Sequence, residues 1–291
     1  MSDAEFLDLF MPSSDGMRLH ARIYGSDNGN AVPVVCLPGL TRNADDFHDL
    51  AMRLSANELR RRVIVIEYRG RGQSERDPDW RHYTVAVEAI DIRQLLKALR
   101  ITRAIFVGTS RGGLITMALA ATAPQLIKAC VLNDIGPVIE TGGLQRIASY
   151  VGKGTMPKDW DEAVNRLKAA NTEFTDLSDE EWQAFARAVF VEQDDGRLVL
   201  SYDPALGNSL AAIDFTKPFP SAWPLFDLLK VFPVLTLRGE NSDLLSDATL
   251  VEMKQRHRTM EMLVVPREGH APFVGREHTA RAIADFVERV G

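Results

Sequence analysis

The sequence predicts an α/β protein with a mostly parallel central sheet flanked by helices and with an inserted helical cap. Short apolar runs rich in valine and isoleucine alternate with helical patterns along most of the chain. Such runs lack period-two alternation and suit strands that are buried on both faces of a parallel sheet, joined by helical crossovers. The alternation stops between about residues 137 and 225, where three of the four tryptophans occur.

The chain opens with a predicted antiparallel hairpin, because two strand-like stretches, 5–12 and 17–25, flank the turn sequence SSDG. Six apolar runs then predict the remaining strands, at residues 31–39, 62–70, 104–110, 128–136, 232–240 and 260–269. Helical patterns lie between these runs and at the end of the chain, at residues 45–56, 85–100, 112–124 and 277–290. This order predicts right-handed crossovers in one sheet.

The break in alternation divides the chain into three predicted parts. Residues 1–136 form the first part of the core, 137–225 a helical cap, and 226–291 the second part of the core. One cap helix opens with the capping-box spacing Ser178…Glu181. Open α/β sheets bind ligands at the carboxyl ends of their strands, so a cap placed there is expected to touch substrate. The alternative is that its tryptophans only pack the cap against the core.

The composition of the chain disfavours several classes of function. The 291 residues carry a formal net charge of −6 without a dense basic tract, which disfavours a nucleic-acid partner. No apolar run approaches the roughly 18 residues that cross a bilayer, and the acidic start does not resemble a signal peptide. Cys36 and Cys130 lie in apolar runs and are predicted to be core thiols, as in a reducing compartment. We therefore expect a cytoplasmic protein without a membrane partner; the sequence does not indicate an oligomeric state.

Ser110 is the candidate nucleophile. It is the centre of a G-x-S-x-G pattern, Gly108 to Gly112, between a predicted strand and a predicted helix. A sharp strand-to-helix turn exposes the serine oxygen, and the small flanking residues allow strand and helix to approach closely. The helix N-terminus also favours a developing anion. The alternative is an ordinary glycine-rich turn.

A serine nucleophile needs a base and a group that orients the base. His270 follows the last apolar run and is the candidate base, whereas the other histidines lie on polar or acidic segments. Asp243, in the loop after the run at 232–240, is the candidate acid. Its rivals are Glu240, Asp247 and, after an earlier strand, Asp134. No histidine pair has a metal-ligand spacing. A mechanism that uses a serine, a histidine and an aspartate needs neither a metal nor another cofactor, so none is expected.

The order Ser110…Asp243…His270 resembles that of the α/β-hydrolase fold superfamily, and the likeness covers nearly the whole chain. LPGLTRN resembles the family's oxyanion loop, with Pro38 in place of a histidine. EYRGRGQSERD resembles its D-x-R-G-x-G-x-S motif, with Glu67 in place of the aspartate, and RGENSDLLS and EGHAP resemble its acid and histidine loops. The resemblance implies an oxyanion hole made by the backbone N–H groups of Leu40 and Arg111.

The resemblance also implies the reaction: a serine hydrolase that cleaves a carboxylic ester or lactone through an acyl-enzyme on Ser110. A serine at this position argues against haloalkane dehalogenases and epoxide hydrolases, which use an aspartate there. Two alternatives stay open. One is a C–C hydrolase of ring-cleavage-type diketone acids with the same triad, and the other is a small-molecule receptor with low turnover.

Arginines crowd the predicted mouth of the site and favour a small substrate that carries a carboxylate. Arg42 lies in the oxyanion loop, Arg69 and Arg71 follow a strand, and Arg111 follows the nucleophile. The predicted substrate-binding residues are Arg42, Arg111 and Trp182. The alternative, that the arginines pair with neighbouring acids and stabilise loops, is favoured for Arg69 and Arg71 and left open for Arg42 and Arg111.

Overall fold

The structure is a computed structural model that describes residues 5–26, 31–56, 61–217 and 219–291. The predicted core and cap ranges also contain residues 1–4, 27–30, 57–60 and 218, which lie outside the described residues. The strands are β1 (Leu7–Pro12), β2 (Arg18–Tyr24), β3 (Val34–Leu37), β4 (Val63–Glu67), β5 (Ala104–Thr109), β6 (Ile127–Asn133), β7 (Phe190–Glu192), β8 (Leu198–Leu200), β9 (Val234–Gly239) and β10 (Glu261–Val265). The α-helices are α1 (His48–Ser55), α2 (Val85–Ala98), α3 (Arg111–Thr122), α4 (Thr141–Tyr150), α5 (Trp160–Ala170), α6 (Asp179–Val189), α7 (Leu206–Ala211), α8 (Trp223–Asp227), α9 (Asp247–Arg256) and α10 (Glu277–Val290).

Eight strands form one sheet in the order β1-β2-β4-β3-β5-β6-β9-β10. The predicted opening hairpin is confirmed, since β1 pairs antiparallel with β2, and β2 in turn pairs antiparallel with β4. The remaining pairs of this sheet, β4–β3, β3–β5, β5–β6, β6–β9 and β9–β10, are all parallel. The predicted α/β fold with a mostly parallel sheet is therefore correct.

Burial on both faces of the sheet explains the continuous apolar runs. Alternate residues of β3 and β5 enter two separate clusters: Val35 and Phe106 join one, whereas Val34 and Ile105 join the other. Each face is covered by helices, so a polar residue on either face would be buried without water. Cys36 and Cys130 lie within these strands as buried free thiols, and burial raises the pKa of both groups.

The segment between β6 and β9 contains α4 to α8, as the helical patterns predict, but it also contains strands. β7 and β8 form a small antiparallel hairpin closed by a turn at Gly196, which has φ +79°. The predicted helical pattern of this segment is thus accompanied by a hairpin whose strands of three residues are too short for the sequence to indicate them. In the described ranges no helix is long and apolar enough to cross a membrane.

Close packing of α3 on β5 depends on glycine. A Cβ atom on Gly108, at the end of β5, would lie 2.5 Å from the backbone carbon of Gly112 at the start of α3. Neither backbone can move away without displacing the turn that carries Ser110.

We expect Gly108→Ala to lower the free energy of unfolding by about 3 kcal/mol, since it overpacks two backbone segments. Urea unfolding followed by circular dichroism measures this change. Gly142→Ala is the control: it lies in α4 with nothing within 4 Å of the added Cβ. Equal stability of Gly108→Ala and wild type would contradict the packing constraint.

Candidate active site

Ser110 joins β5 to α3 with φ +50°, a left-handed conformation that is costly for a residue with a side chain. The turn is held by two backbone hydrogen bonds, from the Ser110 N–H to Asn133 O (2.9 Å) and from the Gly113 N–H to Ser110 O (2.9 Å). A Cβ on Gly112 would lie 2.1 Å from Leu37 O. The predicted strand-to-helix turn is thus present, and it places the serine at a helix N-terminus.

His270 connects Ser110 to a carboxylate. Its Nε2 lies 2.9 Å from Ser110 Oγ, and its Nδ1 lies 2.8 Å from Asp134 Oδ2. Because the carboxylate accepts a hydrogen bond from Nδ1–H, the lone pair of Nε2 faces the serine hydroxyl. This arrangement can remove a proton from Ser110.

Asp134 is rigidly held. It is fully buried, and its carboxylate also accepts hydrogen bonds from the Gly239 N–H (2.9 Å) and the Ser242 hydroxyl (2.6 Å). Its own N–H donates to Leu237 O. Gly239 therefore holds one carboxylate oxygen, and Ser242 holds the other, which is the oxygen that orients His270.

The expectation that Asp243 orients His270 is wrong in this geometry. Asp243 instead accepts two hydrogen bonds from Arg146 of α4, at 2.6 and 2.9 Å. Burial raises the pKa of Asp243, but the bonds from Arg146 outweigh it and leave the pKa below its ordinary value. The physical reason is strand order: β6, which Asp134 follows, lies between β5 and β9 and is therefore the direct neighbour of the serine strand. Sequence order alone does not reveal this adjacency.

The other two rivals for the acid are engaged elsewhere. Glu240 accepts the Arg267 N–H, and Asp247 pairs with Arg238 at 3.0 Å. Neither contacts His270.

Glu67, which stands where the resembling family has an aspartate, organises the loop after β3. Its carboxylate accepts the N–H groups of Ala44 (3.0 Å) and Gln73 (2.6 Å) and contacts the buried ring of His20 (2.8 Å). A Cβ on Gly72 would lie 2.1 Å from the carboxylate. Glu67 therefore joins the loop after β3, at Ala44, to the loop after β4, at Gln73.

A buried ion cluster lies behind the predicted oxyanion loop. The carboxylate of Glu88 on α2 pairs with Arg71 Nη1 (2.9 Å) and with Arg111 Nε (2.6 Å). Arg71 Nε donates to Leu40 O at 2.8 Å, and both Arg71 and Glu88 are fully buried. The sequence did not single out Glu88, because nothing marks one helical glutamate as the partner of two distant arginines.

The predicted substrate-binding role of Arg111 is wrong, because its guanidinium is occupied by Glu88 and by Tyr83 O (2.9 Å) and does not line the cavity. Arg69 pairs with acids, as the alternative interpretation predicts, and these acids are Asp15, Asp77 and Asp91.

Ser110 and His270 open onto a cavity of about 300 Å³ between the core and the cap segment. Arg42 lines this cavity, pairs with Asp46 (2.7 Å from Nε to Oδ2), and lies over the Phe185 ring. Its binding of a substrate carboxylate stays a prediction. Trp182 does not line the cavity: only 5% exposed, it stacks behind Phe185, so the predicted direct contact with substrate is wrong.

One group of metal-ligand side chains occurs in the described part of the chain, Asp15, Asp77 and His82. The Arg69 guanidinium binds both carboxylates, at 2.9 and 2.6 Å, and offsets part of their negative charge. Nothing in this group points to a metal.

Comparisons with known proteins agree with this fold. A family model described as the α/β hydrolase fold matches residues 32–276. The chain is 33% identical over 267 residues to the 3-hydroxybutyrate-oligomer hydrolase of Cupriavidus necator, covering 87% of this chain and 88% of that protein. It is 27% identical over 265 residues to the 2-(acetamidomethylene)succinate hydrolase of Mesorhizobium japonicum, covering 90% of each. A crystal structure of an α/β hydrolase from Novosphingobium aromaticivorans superposes with a TM-score of 0.89 at 41% identity, covering 99% of each chain.

The geometry predicts different outcomes for the two candidate acids. We expect Asp134→Asn to slow covalent labelling of Ser110 by a fluorophosphonate on the order of 10⁴-fold, because His270 loses its orienting acceptor. Asp243→Asn should leave the labelling rate close to that of the wild type. Mass spectrometry of the labelled peptide measures both rates. Slow labelling of Asp243→Asn alone would restore Asp243 as the acid.

Proposed function

Because the chain belongs to the α/β hydrolase fold family and is a hydrolase, we propose that it cleaves a carboxylic ester or lactone of a small substrate through an acyl-enzyme on Ser110. The observation that carries this proposal is the hydrogen-bonded chain from Asp134 through His270 to Ser110 at a cavity of about 300 Å³. A cavity of that size suits a small acyl or alkoxy group.

The proposed reaction follows from these contacts. His270 Nε2 takes the Ser110 proton as Oγ attacks the ester carbonyl carbon, and Asp134 stabilises the imidazolium. The tetrahedral intermediate collapses, and His270 gives its proton to the departing alcohol. Water then adds to the acyl-enzyme with His270 as base, and the acid leaves. Each proton thus passes through Nε2.

The oxyanion hole is proposed to consist of the backbone N–H groups of Leu40 and Arg111. Arg111 is the first residue of α3, where backbone N–H groups lack intrahelical acceptors. Leu40 lines the same cavity as Ser110, and its carbonyl is fixed by Arg71. Glu88 binds both Arg71 and Arg111, so it would keep the N–H groups of Leu40 and Arg111 in a fixed relative position.

Residues 137–225 are proposed to act as a cap over the site. Four ion pairs among the described residues join this segment to core loops: Arg146 with Asp243 (2.6 Å), Asp176 with Arg267 (2.9 Å) and with Arg276 (3.0 Å), and Glu181 with Arg276 (2.8 Å). Phe174 and Phe185 of the segment pack on Phe273 near His270. A closed cap would exclude water from the ester.

Relatives support an acid-derived substrate. The names of the two curated relatives specify a hydroxybutyrate oligomer and a substituted succinate. An oligomer of a hydroxy acid contains ester bonds and ends in a free carboxylate. We therefore propose an ester or lactone of a small, carboxylate-bearing acid as the substrate.

We expect Ser110→Ala to abolish hydrolysis of 4-nitrophenyl butyrate, with a loss of about 10⁶-fold, because the variant lacks the hydroxyl that forms the acyl-enzyme. Release of 4-nitrophenolate measures the rate, and circular dichroism checks the fold. Retained activity in Ser110→Ala would overturn the proposal. Cleavage of vinylogous diketone acids with no cleavage of esters would instead favour the C–C hydrolase.

Glu88→Gln is expected to lower kcat by about 10²-fold with little change in KM. Without the carboxylate, the Arg71 and Arg111 guanidinium groups repel each other and shift the two oxyanion donors. Steady-state kinetics and the affinity for an alkylboronic acid, which mimics the tetrahedral intermediate, measure the effect.

Asp91→Asn is the matched control for Glu88→Gln, since it removes a buried carboxylate on the same helix that pairs with Arg69 instead. It should lower stability without a selective loss of boronic acid affinity. Equal losses of kcat in both variants would show that Glu88 contributes only to stability.

A further inference from the structure

We propose that Lys153, in the loop between α4 and α5, binds the carboxylate of the substrate and so gives the enzyme its preference for anionic esters. This inference rests on the proposed ester hydrolysis at Ser110. It assigns anion recognition to the cap segment and not to the arginines of the core. No comparison with a known protein assigns a role to this residue.

The charges around the cavity single out Lys153. Besides His270, three basic side chains line it: Arg42, Lys153 and Arg166. Arg42 pairs with Asp46, and Arg166 pairs with Glu162 at 2.6 Å. Within the described residues, Lys153 has no carboxylate within salt-bridge distance. Its ammonium therefore supplies a positive charge that no protein anion balances.

The backbone that carries Lys153 is fixed against the rest of the molecule. The preceding Gly152 has φ +70°, and a Cβ there would lie 2.1 Å from Pro204 O. The Lys153 N–H donates to Tyr150 O at 3.0 Å. On the other side of the loop, the Arg166 guanidinium donates to Thr155 O. An anion held by Lys153 would thus be held at a defined place.

The rest of the cavity suits a short carbon chain with an anionic end. Its walls include Phe174, Phe185 and Phe273, whereas Ser110 and His270 supply the reactive end. Tyr150 also lines the cavity, and its phenol hydroxyl can donate a hydrogen bond. A chain bound between Ser110 and Lys153 would have its ester at one end and its carboxylate at the other.

A purely structural role for Lys153 is the competing explanation. Its Nζ donates to Ala148 O (2.7 Å) in the last turn of α4, where a cation also stabilises the helix dipole. That bond uses one of three ammonium protons and leaves two for a ligand. A capping role alone would affect all substrates equally, because it does not depend on their charge.

The test compares two esters that differ only in charge, the 4-nitrophenyl monoester of glutaric acid and the same compound with its free acid methylated. We expect Lys153→Gln to lower the ratio of their kcat/KM values, anionic over neutral, about tenfold. Lys153→Arg should restore most of the ratio. Lys158→Gln is the matched control, because Lys158 is exposed on the same segment, pairs with Asp159 and does not line the cavity.

A binding measurement separates this inference from the proposed reaction. Calorimetry on Ser110→Ala compares monomethyl with dimethyl glutarate, and adding Lys153→Gln should weaken only the monoanion, about tenfold. Equal binding of the monoanion with and without Lys153 would overturn the inference, as would an unchanged kcat/KM ratio. Ester cleavage by Ser110→Ala would overturn the proposed reaction alone, because the calorimetry would still decide the role of Lys153.

Discussion

The contact between β5 and α3 is the constraint from which the site follows. Their backbones approach so closely that Gly108 and Gly112 have no room for a side chain. The turn between them forces Ser110 to φ +50° and lifts its hydroxyl above the carboxyl end of the sheet. Every other part of the site is arranged around that fixed oxygen: His270 from the loop after β10, Asp134 from the end of β6, and the ion cluster of Glu88 beneath it.

Two buried carboxylates have complementary tasks in this arrangement. Asp134 accepts hydrogen bonds from Gly239, Ser242 and His270 and so sets the orientation of the imidazole ring. Glu88 joins Arg111, next to the nucleophile, to Arg71, which holds Leu40. Burying a carboxylate lowers the stability of the fold unless a cation or hydrogen-bond donors pair with it. Asp134 and Glu88 are both paired, and each fixes the position of groups in the site. Burial lowers the pKa of Arg71, but a guanidinium keeps its proton, so the pairing persists.

The charged side chains of the core and those of residues 137–225 have different roles. Arg42, Arg69, Arg71 and Arg111 of the core pair with core acids. Other ion pairs join residues 137–225 to the core, including Arg146 with Asp243 and Asp176 with Arg276. Asp243 thus joins cap to core, although its loop position resembles that of a catalytic acid. Among the basic side chains that line the cavity, Lys153 has no carboxylate partner in the described residues, and its loop packs through Gly152 against Pro204 of the same segment. Recognition of an anion would therefore come from the cap, whereas the chemistry comes from the core.

The sequence by itself determined the parallel sheet, the strand-to-helix turn at Ser110 and the choice of His270 as the histidine next to it. Each depends on local patterns, namely apolar runs buried on two faces, glycines at a sharp turn, and a histidine directly after a strand. Only the tertiary structure decided which acid meets His270, because that depends on β6 lying beside β5. The partners of Arg111 and the position of Trp182 behind Phe185 were likewise decided by packing. Long side chains reach partners distant in sequence, and no local pattern records which partner lies within reach.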